Sequence, residues 1–94
     1  MLRQVAKELI QRANSDIVGG WSTNHVKAME LLATEIYSHL GRGNPETSVA
    51  LSKLVADRLH KFAIDIRTGG WSTQNLAYFE KTSMELYAHV GRNQ

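Results

Sequence analysis

The sequence contains no cysteine, a single proline at position 45, and no apolar run approaching the roughly 20 residues of a membrane span. The first absence excludes a disulfide scaffold, a thiolate metal site and a cysteine nucleophile. The scarcity of proline leaves long stretches free to form uninterrupted helix. Charge of one sign is lacking too. Eleven Lys and Arg against nine Asp and Glu give a net charge of only +2, and no basic run stands out of the kind that marks a nucleic-acid-binding face. The first residues, Met1-Leu2-Arg3-Gln4-Val5-Ala6-Lys7-Glu8, carry charge where a secretion signal needs an apolar core. The expected location is therefore the cytoplasm, with no membrane association.

What the chain does have is a repeat. Gly19-Gly20-Trp21-Ser22-Thr23 returns fifty residues later as Gly69-Gly70-Trp71-Ser72-Thr73. At the same offset Glu30, Glu35, Tyr37, His39, Gly41 and Arg42 return as Glu80, Glu85, Tyr87, His89, Gly91 and Arg92, and Val5, Ala6, Leu9 and Ala13 as Val55, Ala56, Leu59 and Ala63. Residues 1–44 thus align with 51–94 without a gap at 15 identities. Substitutions such as Val26/Leu76, Met29/Phe79 and Ile36/Leu86 keep apolar character. A period of 50 is too long for one helix and suits two helices with a turn. The 94 residues are read as a single domain of two such repeats, since a chain of this length supports one modest core.

Apolar residues recur at helical spacing within each copy. In the first they are Leu2, Val5, Leu9, Ala13 and Ile17, then Val26, Met29, Ala33, Ile36, Tyr37 and Leu40. In the second they are Leu51, Val55, Leu59, Phe62 and Ile66, then Leu76, Phe79, Ser83, Leu86, Tyr87 and Val90. Gly19 and Gly69 are placed to stop the first helix of each copy in a left-handed cap. Ser22 and Ser72 are placed as N-caps of the second, and Trp21 and Trp71 have the spacing of a hydrophobic staple onto Val26 and Leu76. Gly41 and Gly91 end the second helices. Asn44 reads as a cap for the third helix, with Pro45 at its first position and Glu46 set against its dipole. The spacing predicts helices over 2–17, 23–40, 45–67 and 73–90: an all-α fold in which a tandem-duplicated helical hairpin gives a four-helix arrangement with pseudo-two-fold symmetry.

Candidate binding residues cluster at the repeated positions. Free amides at a helix start attract phosphate or carboxylate, so Trp21, Ser22 and Thr23, with Trp71, Ser72 and Thr73, could hold a small anionic ligand such as a nucleotide. A stop, staple and cap account for the same residues without any ligand, and the segment carries no phosphate-binding lysine. Arg42 and Arg92 could clamp an anion bidentately or complement a helix C-terminus. Glu35 with His39, and Glu85 with His89, are carboxylate–imidazole pairs four residues apart and off the apolar stripe. They suit exposed ion pairs or a partner-binding face near Tyr78. They do not suit a di-metal carboxylate centre, whose Glu and His lie three apart and point inward. Glu30 and Glu80, at the stripe edge, are expected to be partly buried and to require a donor. Leu54 and Ile64 widen the apolar arc of the third helix, which suggests homo-oligomerisation.

No catalytic constellation, metal set or cofactor motif emerges. The expected function is a small non-catalytic binding protein that sequesters or inhibits another protein, in the manner of regulators, immunity proteins and phage inhibitors. A nucleotide or phosphate sponge is the first alternative, and a nucleic-acid-binding regulator the second.

Overall fold

The computed structural model describes residues 1–19, 23–69 and 73–93, the side chain of Thr23 aside. Among the described residues it is all-helical: α1 spans Leu2–Val18, α2 Thr23–Gly41, α3 Val49–Thr68 and α4 Leu76–Arg92, and a single 3₁₀ turn, Thr73–Asn75, leads into α4. None of these helices is long and apolar enough to cross a membrane. The chain divides into two compact units, Met1–Glu46 and Thr47–Gln94. Each holds two consecutive helices packed on one another, α1 with α2 and α3 with α4.

In the first unit the helices bury Leu2, Val5, Ala6, Leu9 and Ala13 from α1 and Val26, Met29, Leu32, Ala33 and Ile36 from α2. Spacings of three and four residues keep each set on one face. Two residues expected in these stripes fall outside them: Ile17 is 56% exposed and Tyr37 36%. Asp16, one position earlier on the wheel, takes the buried place that Ile17 was expected to fill. The pair runs antiparallel. The end of α1 meets the start of α2 through Asp16 and His25, while its first turn meets Glu46, beyond the end of α2.

In the second unit Leu51, Val55, Ala56, Leu59, Phe62, Ala63 and Ile66 of α3 are buried, as are Phe79, Ser83, Leu86 and Val90 of α4. Phe62 and Phe79 meet with ring centroids 5.3 Å apart in a tilted arrangement, a geometry that suits the aromatic quadrupole. Tyr87, like Tyr37, is 36% exposed and not in the stripe.

The segment between α2 and α3 departs from the sequence reading. Asn44 looks backward. Its backbone N–H and its side-chain amide both donate to the carbonyl of His39, at 3.2 and 3.1 Å, so it closes α2 and does not open α3. Glu46 also reaches back. Its carboxylate accepts the Arg3 backbone N–H at 3.0 Å and lies 3.1 Å from the Met1 ammonium. It therefore serves the free amides and positive end of α1, and these bonds hold its pKa below the ordinary value, the Arg3 amide contributing most. The N-cap of α3 is Ser48, whose hydroxyl accepts from Leu51 N–H at 3.2 Å. Ser48→Ala is expected to lower stability by about 1 kcal/mol, read as a shift in denaturation midpoint at constant slope.

The helix ends also differ from expectation. Gly19 closes α1 in the right-handed region (φ −78°), not the left-handed one, its N–H bonding Ser15 O at 3.0 Å. Gly69, with φ +118° and ψ 143°, adopts a conformation open in practice only to glycine. Gly91 does not end α4, which runs on to Arg92. The expected Ser22 and Ser72 caps and the Trp21 and Trp71 staples lie outside the described residues.

Candidate functional site

The most deeply buried polar group of the first unit sits at the α1–α2 corner. Asp16, in the last turn of α1, and His25, in the first turn of α2, are both fully buried. The imidazole Nε2 lies 3.1 Å from the carboxylate Oδ2. The carboxylate is an acceptor only, so the ring donates Nε2–H to it. Burial pushes the His25 pKa below its ordinary 6.5, against the charge and hydrogen bond of Asp16, which raise it. The ring is thus neutral at neutral pH, with its donor committed to Asp16. Sequence reasoning passed over both residues because the second copy does not share them: Ile66 and Asn75 stand at the aligned places. The signal available was an aspartate on the apolar stripe of the first helix, seven residues after Leu9 and three after Ala13.

The second unit has a polar seam on one side of α3 and α4. Tyr87 donates its hydroxyl to Asp57 Oδ1 at 2.6 Å, and Lys53 donates to Asp57 Oδ2 at 3.2 Å. The Tyr87 ring meets His60 edge-on, with centroids 6.4 Å apart. Nearer the α3–α4 turn the Arg67 guanidinium pairs with the Glu80 carboxylate. The Tyr87 bond, and after it Lys53, hold Asp57 below the usual carboxylate range. Burial first, then the hydrogen bond and charge of Asp57, push Tyr87 up to about 12 from 10. The phenol is therefore favoured as neutral in the fold. Its contribution is complete below pH 10 and is lost as pH rises from 10 toward 12. Spectrophotometric titration of tyrosinate is expected to resolve a phase near pH 12 that Tyr87→Phe removes and Asp57→Asn moves to lower pH. Because the seam is exposed, Tyr87→Phe costs no more than about 1 kcal/mol.

The residues expected to bind a ligand are placed as follows. Trp21, Ser22, Trp71 and Ser72, with the side chain of Thr23, lie outside the described residues, and Thr73 is exposed in the 3₁₀ turn. Arg42 folds onto its own helix, donating through Nη2 to Ser38 Oγ at 2.8 Å and through Nε to Ser38 O at 3.3 Å. Arg92 is the exposed last residue of α4. Glu35 and His39 are half-buried on α2.

Glu85 is exposed, 3.9 Å from Lys81, and does not engage His89. The His89 ring instead donates Nε2–H to the Thr47 carbonyl at 3.0 Å and accepts from Asn93 Nδ2 at Nδ1, 3.3 Å away. These two partners fix the orientation of the ring and tie α4 to the residue before the α3 cap. Glu80, half-buried, finds its donor in Arg67, as its position on the stripe edge required. Glu30, expected to be partly buried, is exposed, and the residue aligned with Arg67 in the first copy is Ile17, which carries no donor. It borders a shallow open depression on α2 with Lys27, Leu31 and Thr34. Among the described residues no three His, Asp or Glu side chains are grouped to hold a metal ion.

No protein-family model, curated protein or solved structure matches this chain.

Proposed function

We propose that the chain is a duplicated helical hairpin, its halves related by a pseudo-two-fold axis, and that it is a small cytoplasmic binding protein without catalytic activity that sequesters or inhibits a protein partner. One contrast between the copies supports this reading. The positions that give the α3–α4 seam its polar closure, His60 and Arg67 on α3, are Ile10 and Ile17 on α1. Ile10 and Ile17 are 37% and 56% exposed, and Tyr37, aligned with Tyr87, is also exposed. Asp57, which receives the Tyr87 hydroxyl, is replaced by Lys7. At 100° per residue Ile10 and Ile17 lie about 70–90° from the centre of the α1 stripe, on the edge where Arg67, in the second copy, meets α4.

Exposed apolar side chains along one helix edge stabilise a complex by roughly 25 cal/mol for each Å² they remove from water. Lys7 and Arg3, exposed one and two turns before Ile10, add positive charge to that edge. The partner surface that fits is an amphipathic helix with an apolar stripe and an acidic rim.

The test uses the intact chain as bait against extract of its native host, with Ile10→Asp/Ile17→Asp as the comparison and Ile64→Asp as a control on the other unit. Both isoleucines are exposed, so the double variant is expected to keep its helix content. A defined protein retained by the wild type and the control, and bound at least about tenfold more weakly by the double variant, is the expected result. Equal retention by all three overturns the reading. So does a melting temperature raised by nucleotide or phosphate where no protein is retained.

A further inference from the structure

We infer that the Asp16–His25 pair is an acid-sensitive latch that holds the α1–α2 corner closed at neutral pH and loosens it in mild acid, a device that the α3–α4 corner lacks. The geometry carries the argument. Both groups are fully buried, they meet at 3.1 Å, and they join the last turn of one helix to the first turn of the next. Aligned with them in the second unit are Ile66 and Asn75, both buried. Neither side chain titrates, so that corner has no corresponding group.

A second proton on the His25 ring would sit on Nδ1, inside the fold and close to the start of α2. The amides of the first turn form the positive end of the helix and disfavour a cation. On α1, the helix packed against it, the charged groups on this side are Asp16 itself, half-buried Arg12 one turn earlier and Glu8 two turns earlier. On α2 the nearest charged groups, Lys27 and Glu30, are exposed. Of these, Asp16 is the group in direct contact that favours the protonated ring, and burial outweighs it.

The sign follows by linkage. A histidine whose pKa is lowered in the fold takes up its proton more readily when the corner opens. Above the unfolded value of 6.5 the latch is intact, and below it the open state gains as pH falls toward the folded pKa.

Two measurements on the full chain test it. In the first, the His25 ring is titrated by NMR in the wild-type protein, which avoids any question of a variant's folding. A midpoint below 6.5 is expected, and one at or above 6.5 overturns the proposal. In the second, amide hydrogen exchange is followed between pH 7.5 and 5 and corrected for the intrinsic rate. Protection over residues 24–30 is expected to fall by up to about tenfold for each pH unit separating the folded and unfolded pKa of His25, by opening of this corner alone. Over residues 76–82 the change is expected to stay within about twofold. His25→Asn, which installs the residue found at position 75, removes the loss. Equal loss in both units, or loss that persists in His25→Asn, overturns the proposal.

Discussion

Phe79→Ala is expected to remove about 3–5 kcal/mol of stability, most of what a domain of this size possesses. Phe79 has no exposed surface and packs its ring against Phe62. Truncation both forfeits the transfer of the ring from water and leaves a void that Phe62, held by α3, fills only in part. The melting temperature read by circular dichroism falls by more than about 15 °C, or the second unit fails to fold. Met84→Ala on the same helix supplies the contrast. Its side chain is 70% exposed, and the change stays within about 0.5 kcal/mol. A Phe79 variant that melts like the Met84 variant would show that the α3–α4 interior is not packed around this ring.

The second large effect is at the buried pair of the first unit, where the two single truncations differ and replacing both residues with those of the second copy is mild. His25→Ala withdraws the Nε2–H donor from a buried carboxylate and is expected to cost about 3 kcal/mol or more at pH 7.5. Asp16→Ala withdraws the acceptor from a neutral imidazole, at a cost of about 1–3 kcal/mol, because a neutral donor is less expensive to strand than a charge. Asp16→Ile with His25→Asn, the combination at positions 66 and 75, replaces the pair as a whole. It is expected to lie within about 1 kcal/mol of wild type, since exchanging a buried polar pair for packed residues is often neutral. Chemical denaturation of wild type, Asp16→Ile, His25→Asn and this double variant forms a cycle. A double variant as unstable as the sum of the singles would mean that the two residues do not act through one another.

Both effects are measured within a hairpin, and both show how far the sequence could be read. The heptad-like recurrence of Leu2, Val5 and Leu9, or of Leu51, Val55 and Leu59, places a helix and its buried face correctly, because side-chain direction along a helix follows from backbone geometry alone. The edges of the stripes were less legible. Ile17 and Tyr37 have the hydropathy of core residues and lie near enough to the stripe to be included, yet a residue some 80° from the stripe centre is buried only if the neighbouring helix covers it. Glu30 and Glu80 make the same point. Identical residues at aligned places differ in exposure: Arg67 reaches Glu80, while the residue aligned with Arg67 in the first copy is Ile17, which has no donor to offer Glu30. The Asp16–His25 pair was hidden because a polar residue on an apolar stripe declares no partner in one dimension.

The amino-acid sequence by itself determined four helices, most of their buried faces and a sequence repeat of period 50, since helix periodicity and turn chemistry are settled between residues a few places apart. Only the tertiary structure decided that Asn44 closes α2, that Glu46 serves the first turn of α1, that His89 bonds Thr47 and not Glu85, and that His25 lies buried against Asp16. Each of these is a choice among competing partners of similar chemistry. The winner is the one that the packed helices bring within about 3 Å, a distance set by the path of the chain through space and not by spacing along it.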